Sequence, residues 1–433
     1  MSRLDRIAVV LAASNRFAAG ILMGTGLAFY VGEAGGSASL VGAVTTAYFL
    51  GMMLLSPVWG AIADVTGRRR LVLLVTGLAA TAAVLPLLVV PGLDSTVSLA
   101  PLPVSIPGVY LPIGVRGLYA VFAVGFSPVM LAVASEKGGD DGRGQSLGFF
   151  NSARAVGFTG GQLAVGFLLG VLAPDGLYLV IAAASLVSTV AAVFVTDPTP
   201  TPDEPPSARR IVAEVRRRLF PAAADRQHFS RKGLGWLYVA LALRNTTVIG
   251  VMGLMPVYLP SRLGLTEFQM GALLAINPAA QAVFMLVFGR LTDRVGRKPL
   301  IVGGMAGSGL FAVLAASAAL VPGTVARLAV GAVAFLVIAA AFSAMTTGAL
   351  AFIGDVAPPD RESELMGLRS TAKGVGGVVG PLVLGGVATA TSYEVAFGVG
   401  SGLAVVAAGL AAVALTESRP ASLGGPAPAP GDD

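Results

Sequence analysis

Apolar stretches recur from one end of the chain to the other, and each is long enough for a helix to cross a lipid bilayer, which takes about 20 residues. Only 12% of the 433 residues are charged and 55% are hydrophobic, whereas soluble proteins carry about 25% charged residues. Repeated stretches of this length indicate helices, because the strands of membrane barrels are shorter and alternate in polarity. The chain is therefore predicted to be an all-α membrane protein.

The apolar stretches predict twelve transmembrane helices, divided into two groups of six by a hydrophilic segment. That segment is rich in proline at its start and basic further on, which predicts a flexible or partly helical linker. We expect a first bundle at roughly 1–196, a linker at 197–233, a second bundle at 234–415 and a disordered tail at 416–433. The helices are predicted at roughly 6–31, 38–63, 71–91, 109–135, 145–172, 176–196, 234–259, 266–291, 299–321, 325–353, 365–390 and 393–415.

Lysines and arginines outside the predicted helices lie almost entirely on one side of the membrane. Cytoplasmic loops are enriched in these residues, so both termini and the linker are expected in the cytoplasm, with the chain in the cell membrane. The net charge of +6 is then mainly an orientation signal, and no nucleic-acid partner is expected. Arg262 and Arg327 are the exceptions. The cations on the cytoplasmic side, besides those of the linker, are Arg3, Arg6, Arg68, Arg69, Arg70, Lys137, Arg143, Arg290, Arg294, Arg297, Lys298, Arg361 and Arg419.

One segment of the first half recurs in the second half. "GAIADVTGRRR", from Gly60 to Arg70, returns as "GRLTDRVGRKP", from Gly289 to Pro299. Two repeated halves joined by a linker are typical of a transporter that rocks around a site near the middle of the membrane. The repeat therefore predicts a substrate site between the two bundles.

The repeated segment resembles the signature loop of the major facilitator superfamily, G-x-x-x-D-x-x-G-R-R, which lies between the second and third helices. The resemblance covers nearly the whole chain and implies twelve helices in two pseudo-symmetric six-helix bundles. In the family the loop acts as a cytoplasmic latch; the alternative is that its charges only anchor the loop and orient the helices. Val65 stands where the pattern usually has a basic residue. The matching residues are Gly60, Asp64, Gly67, Arg68 and Arg69 in the first copy and Gly289, Asp293, Arg294, Gly296, Arg297 and Lys298 in the second.

Two further features resemble family patterns in part. Arg116, followed by Pro128, is similar to an arginine of the fourth helix that precedes a glycine-rich stretch, although Ala120 replaces the usual glycine. A coupling role for Arg116 and snorkelling to the outer interface both stay open. The fifth and eleventh helices are rich in glycine, which favours close helix packing; the alternative is an antiporter motif of drug exporters.

Four cations are predicted to lie inside the membrane. Arg16 and Arg244 fall near the middle of the first helix of each half, where an arginine costs roughly 3 kcal/mol or more. Arg154 and Lys373 lie about 14 Å deep in the fifth and eleventh helices. The carboxylates, in contrast, fall in loops or at helix ends, for example at Glu33. The buried cations therefore need a partner that the chain does not supply.

These cations favour an anionic cargo. Arginine binds carboxylates and phosphates through paired N–H groups and keeps its charge, so Arg16 and Arg244, with Asn15 and Asn245 beside them, are predicted to bind substrate. Family members that exchange phosphorylated or carboxylated anions resemble this design. Arg154 and Lys373 are predicted either to bind the cargo or to serve the cytoplasmic gate. The alternative is that all of these cations bond to backbone carbonyls or line a wet cavity.

The leading prediction is a monomeric secondary transporter that moves a small organic solute, with an anion favoured, by alternating access. The main alternative is a proton-driven multidrug or metabolite exporter; a carboxylate within a predicted helix would favour it, and the sequence shows none at mid-span. A membrane enzyme is not expected, because the chain has no cysteine and one histidine, His228, and shows no cluster of catalytic residues. No cofactor is expected. A receptor or scaffold with the same fold stays open, because fold does not determine function.

Overall fold

The computed structural model of the chain describes residues 3–89, 95–98, 105–197, 207–219, 231–358 and 362–418. Twelve helices in these residues are long and apolar enough to cross a membrane, as the sequence predicts. The predicted tail from residue 419 onward, His228 and most of the linker lie outside the described residues. We refer to the twelve membrane-capable segments as spans, numbered in chain order.

The first half holds six spans. The fourth and fifth, Gly108–Gly138 and Gly144–Val171, are joined by helical residues. Two short antiparallel strands, β1 (Thr96–Ser98) and β2 (Ser105–Pro107), pair in the connection before the fourth span. The helices are Arg3–Glu33, Ala38–Thr66, Arg69–Ala82, Leu111–Ala123, Phe126–Val171 and Pro174–Val193.

The second half repeats the plan of six spans. A separate amphipathic helix, Ala208–Leu219, lies in the linker that precedes it; we call it the linker helix. Side chains at helix starts bond to free backbone N–H groups, as in the Thr266 and Gln269 capping box, which stabilises the first turn. The helices are Leu234–Ser261, Glu267–Val295, Arg297–Ser317, Thr324–Val356, Glu362–Ala390 and Tyr393–Ala414.

Glycines allow the helices that carry the buried cations to pack closely. A side chain at Gly157 would place its Cβ 2.4 Å from the Ser14 carbonyl oxygen, so the fifth span packs tightly on the first. In the second half, a Cβ at Gly380 would lie 2.2 Å from the Thr246 oxygen, so the eleventh span packs on the seventh in the same way. The packing role predicted for these glycine-rich helices is therefore what the structure shows.

The two faces of the molecule differ in how their apolar cores are built. We call the face that holds the linker helix and both ends of the described chain the linker face, and the opposite face the far face. Toward the far face, one hydrophobic cluster contains residues of both halves, such as Leu27 and Leu254. Toward the linker face, each half has its own cluster, one around Met130 and the other around Phe352. The halves therefore share a core only toward the far face.

Close backbone contacts between the halves also lie toward the far face. A Cβ at Gly42 would lie 2.2 Å from the Pro381 oxygen, and one at Gly166 would lie 2.7 Å from the Cα of Gly271. The Ser39 and Thr389 hydroxyls add a hydrogen bond of 2.9 Å. Together with the separate cores, these contacts describe a conformation that is closed at the far face and parted at the linker face.

Candidate functional site

Arg16 is buried in the first span without a hydrogen-bond partner. Its side chain is 5% exposed, and none of its three guanidinium nitrogens bonds to a described residue. The guanidinium lies 5.4 Å from the centre of the Tyr119 ring, a cation–π contact that offsets only part of the cost of burial. Arg16 therefore holds buried N–H groups that no described residue accepts.

Arg244 is buried more deeply, but it is partly satisfied. It is 1% exposed; its Nε donates to Ser308 Oγ at 2.8 Å and its Nη1 donates to Asn245 Oδ1 at 3.3 Å. Its Nη2 has no partner among the described residues. These neutral bonds orient the guanidinium and leave its charge uncompensated, and Nη2 stays without an acceptor among the described residues.

A third arginine, Arg116, lies against the same aromatic ring as Arg16. It is 6% exposed and turned into the bundle, where its Nη1 donates to the Gly20 oxygen at 3.2 Å. The Tyr48 ring lies 4.4 Å from its guanidinium carbon and the Tyr119 ring 5.6 Å away. Arg116 thus points into the first bundle, and its Nε has no partner among the described residues.

Arg154 and Lys373, the two candidates nearer the linker face, are accompanied by a third cation, Arg369, which the sequence analysis did not name. Arg154 lies 5.5 Å from the Phe17 ring centre and 5.2 Å from that of Phe158. Lys373 lies on the eleventh span, where its neighbour Gly374 packs on Met53 of the first half. Arg369 comes four residues before Lys373, so helical periodicity places both on one face; that spacing was the available signal.

Carboxylates do not compensate these cations. In the described parts of the chain, the ion pairs between side chains involve Arg69, Lys137, Arg217, Arg218, Arg262 and Arg297, and they lie at the ends of the spans or in the linker helix. Arg16, Arg116, Arg154, Arg244, Arg369 and Lys373 form none with the described carboxylates. These six cations therefore carry positive charge that no described carboxylate balances.

The two asparagines predicted beside the arginines have different surroundings. Asn245 bonds to Arg244, as above, and its Cβ packs against Gly376. The Nδ2 of Asn15 donates to the Leu11 oxygen of its own helix at 3.0 Å. Asn245 is therefore built into the arginine site, whereas the amide N–H of Asn15 is occupied by the backbone.

The first signature loop is tied together by Arg69. Its Nη2 lies 3.0 Å from Asp64 Oδ1 and its Nη1 lies 2.6 Å from Glu136 Oε1. Arg218 of the linker helix bonds to the other oxygen of Asp64 at 2.7 Å, and its Nη1 occupies the space beside Gly60. A cation from the linker thus contacts the loop in which Val65 replaces the usual basic residue.

In the second signature loop the contacts are made by Arg297 and by Glu417, which follows the last span. Arg297 Nε donates to Asp355 at 2.9 Å, and its Nη1 lies 3.4 Å from Asp293. The two carboxylate oxygens of Glu417 accept from the backbone nitrogens of Arg297 and Lys298, each at 2.9 Å. Residues 416–418, placed in the tail by the sequence, therefore belong to this network.

The two loops differ by one residue in register. The sequence aligns Arg68 with Arg297, but Arg68 is exposed and Arg69 makes the equivalent ion pairs. The second span ends at Thr66, and Gly67 (φ 63°) and Arg68 precede the next helix, whereas Gly296 (φ 94°) alone separates the equivalent helices. Glycine adopts these positive angles without strain, and the extra residue moves the bonding arginine forward by one.

Comparisons with known proteins agree with this architecture. The sequence matches the Major Facilitator Superfamily over residues 7–277 and 237–430. It is 39% identical over 84 residues to the inner membrane transport protein YajR of Escherichia coli (strain K12), an alignment that spans 19% of this chain and 18% of YajR. Because this alignment is short, it shows only that the two proteins are related.

Solved structures show the same fold. The nucleoside transporter NupG has 14% identity and a TM-score of 0.71, covering 94% of this chain and 98% of its own. A peptide transporter, POT, bound to alafosfalin has 13% identity and a TM-score of 0.72, covering 94% and 93%. A bacterial homologue of the lysosomal transporter Spinster, inward-facing, has 14% identity and a TM-score of 0.71, covering 96% and 98%. The chain belongs to the major facilitator superfamily.

Proposed function

We propose that this transporter moves a small organic anion through the space between its bundles by alternating access. The observation that carries the proposal is the pair of buried arginines, Arg16 and Arg244, which keep unpartnered N–H groups and have no described carboxylate beside them. A buried, unpaired guanidinium is costly, and a carboxylate or phosphate would satisfy it with paired hydrogen bonds. Asn245 and Ser308 hold Arg244 ready for such a group.

The proposal includes an orientation. The linker face carries the excess of lysine and arginine, which favours a cytoplasmic location and places both termini inside the cell. In that orientation, the conformation described above is open toward the cytoplasm. A cytoplasmic anion would then reach the arginines between the separate cores of the two halves.

Thermal unfolding of the purified protein tests the cargo class. We expect organic anions to raise the melting temperature, because they bind only the folded protein, and we expect Arg244→Gln to abolish that rise. Arg6→Gln, which removes a charge on the exposed linker face, should leave it intact. Stabilisation by lipophilic cations alone, or an anion response that survives in Arg244→Gln, would reject the anionic cargo.

We further propose that the signature loops latch the linker face and that the linker helix takes part in the first latch. Arg218 holds Asp64, so this contact must be released if Asp64 is to meet a partner in the other bundle. Hydrogen bonds from Arg217, and to a smaller extent from Arg218, keep the pKa of Glu214 below its ordinary range. The ion pair between Glu214 and Arg218 therefore persists at neutral pH and is lost only as the pH falls through that depressed pKa.

Arg218→Ala should release the linker helix from the first loop. Half-exposed ion pairs contribute about 0.2–1 kcal/mol, so we expect amide exchange in Ala208–Leu219 to speed up by about 2–5-fold. Arg209→Ala, on the exposed part of the same helix, is the matched control. Equal exchange in the two variants would show that Arg218 does not dock the helix.

A further inference from the structure

Arg116 lies against the face of the first span that also carries Arg16. Arg16, Gly20 and Gly24 follow one another at intervals of four residues, which places them on one face of that helix. Arg116 comes from the fourth span; its Nη1 donates to the Gly20 oxygen at 3.2 Å, and its Nη2 lies 2.9 Å from the position that a Cβ would take at Gly24. Because the two glycines carry no side chain, the Arg116 guanidinium can approach the helix that carries Arg16.

The ring of Tyr119 lies beside both guanidinium groups. Its centre is 5.4 Å from the guanidinium carbon of Arg16 and 5.6 Å from that of Arg116. Arg116 and Tyr119 are three residues apart on the fourth span, so they are neighbours on one face of that helix. Two positive charges therefore meet at one ring, whose attraction for cations offsets only part of the cost of burying them.

The polar atoms around this ring lack hydrogen-bond acceptors. The three guanidinium nitrogens of Arg16, the Nε of Arg116 and the hydroxyl of Tyr119 have no partner among the described residues. All three residues are buried, with at most 6% of their surface exposed. Buried polar groups in proteins are usually hydrogen-bonded, so unpaired donors from two helices at one place indicate a ligand that accepts hydrogen bonds.

Open space adjoins these donors at Gly20. A Cβ added there would meet no side chain and no neighbouring helix within 4 Å, although Gly20 is partly buried and its oxygen accepts from Arg116. Gly20 lies about one turn after Arg16 and one turn before Gly24, which Arg116 contacts. The space therefore gives a ligand group room beside both arginines.

We infer that the first bundle binds a phosphoryl group of the cargo through Arg16, Arg116 and Tyr119. The inference rests on the proposed function and narrows its substrate class to phosphorylated organic molecules. One group with close to two negative charges balances both guanidinium charges, whereas a single carboxylate leaves one of them uncompensated. A phosphoryl group also presents three acceptor oxygens, which suits donors that converge from two helices. Arg116 is then a cargo-binding residue.

Three probes with one phenyl ring each test the charge and shape of the bound group. Phenyl phosphate and phenyl sulfate are both tetrahedral but carry about two and one negative charges at about pH 8, and benzoate is a planar monoanion. We expect calorimetry to show phenyl phosphate binding at least about 10-fold more tightly than either monoanion, with inorganic phosphate as a competitor. Equal affinity for the three probes, or no competition by inorganic phosphate, would overturn the phosphoryl site.

Arg116→Gln should remove the preference for the doubly charged probe. We expect its affinity for phenyl phosphate to fall by about 10–100-fold, because hydrogen bonds to charged groups are strong, and to approach its affinity for phenyl sulfate. Arg6→Gln, on the exposed linker face, is the control for loss of one positive charge. A preference for phenyl phosphate that persists in Arg116→Gln would show that Arg116 does not bind the cargo.

Tyr119→Phe tests the site without removing the ring that lies beside both arginines. The lost hydroxyl has no partner among the described residues, so the melting temperature of the ligand-free protein should not fall, while phenyl phosphate affinity should fall by about 3–10-fold. Tyr258→Phe is the matched control, because its buried hydroxyl donates to the Ala315 oxygen at 2.7 Å; there the melting temperature should fall and the affinity should not. Unchanged affinity in Tyr119→Phe would contradict the part assigned to the hydroxyl.

Arg244→Gln separates failure of this inference from failure of the proposed function. Anions that bind equally well to the original protein and to Arg116→Gln, but lose binding in Arg244→Gln, would overturn the phosphoryl site and leave an anion transporter. Absence of binding by every anionic probe would reject the proposed function as well.

Discussion

Arg16→Met should make the protein more stable and at the same time abolish its stabilisation by anions. The guanidinium of Arg16 is buried with none of its nitrogens bonded to a described residue, and replacing buried charges with apolar side chains is often stabilising by about 1–4 kcal/mol. Loss of the contact with Tyr119, 5.4 Å away, subtracts about 0.5–2 kcal/mol from that gain. Over most of these two ranges the gain exceeds the loss, so we expect a higher melting temperature for the ligand-free protein.

Both effects are expected together because a buried binding group without hydrogen-bond partners destabilises the ligand-free protein. A residue whose only purpose is structural would lower stability when removed, whereas one held for a ligand raises it. The measurement is the melting temperature of each variant with and without organic anion. A lower melting temperature for Arg16→Met, with the anion response retained, would mean that Arg16 supports the fold and does not bind cargo.

Arg327→Met provides the matched control. Arg327 also lies at a span, but its Nε donates to the Val321 oxygen at 3.1 Å and its Nη1 to the Leu263 oxygen at 2.8 Å. Removing it leaves carbonyl oxygens without their partner, which costs about 1–3 kcal/mol where they are buried. The same substitution should therefore lower stability at Arg327 and raise it at Arg16.

Gly42→Leu should shift the protein away from the conformation described here. A Cβ at this position would lie 2.2 Å from the Pro381 oxygen, a backbone atom that cannot move aside by rotating a side chain. Overpacking of this kind costs about 1–3 kcal/mol, which corresponds to about a 5–150-fold change in population. The cost falls on the far-face closed state, so the state closed at the linker face should gain population.

The chain contains no cysteine, so Leu4→Cys and Val413→Cys can place one spin label on each half at the linker face, at residues that are 61% and 88% exposed. The shift should appear as a shorter distance between the two labels. Gly386→Leu is the control, since Gly386 lies in the same span as Pro381 and a Cβ added there would have nothing within 4 Å. If Gly42→Leu does not fold, it will aggregate. Gly42→Ala is then the test, and it should shift the label distances in the same direction by a smaller amount. An unchanged distance distribution in both variants would mean that the approach of Gly42 to Pro381 does not control closure.

Much of the fold could be predicted from the sequence because hydropathy is a local property. Each span is a run of apolar residues long enough to cross the bilayer, and the repeated loops show that the halves are related. The register of those loops could not be predicted. Arg68 and Arg69 are adjacent and chemically identical, and only the number of residues between two helices decides which of them reaches Asp64.

The candidate site was predicted in part for the same reason. Arginines inside apolar runs stand out in the sequence, so Arg16, Arg244, Arg154 and Lys373 could be named. Arg369 lies near the start of its span, where a cation is unremarkable, and only packing of that span on the first half, at Gly374 and Met53, shows that it lies near the boundary between the halves. The contact of Arg218 with Asp64, 154 residues away, has no local signal at all.

The sequence by itself determined the membrane location, the number of spans, the two related halves and the presence of cations where the bilayer makes them costly. The tertiary structure alone decided which N–H groups are satisfied: those of Arg244 in part, by Ser308 and Asn245, and those of Arg16 by no described residue. The physical reason is that the cost of a residue in a membrane depends on its own chemistry. Whether its polar atoms find hydrogen-bond partners depends on atoms that are distant in the chain and become neighbours only when the helices pack.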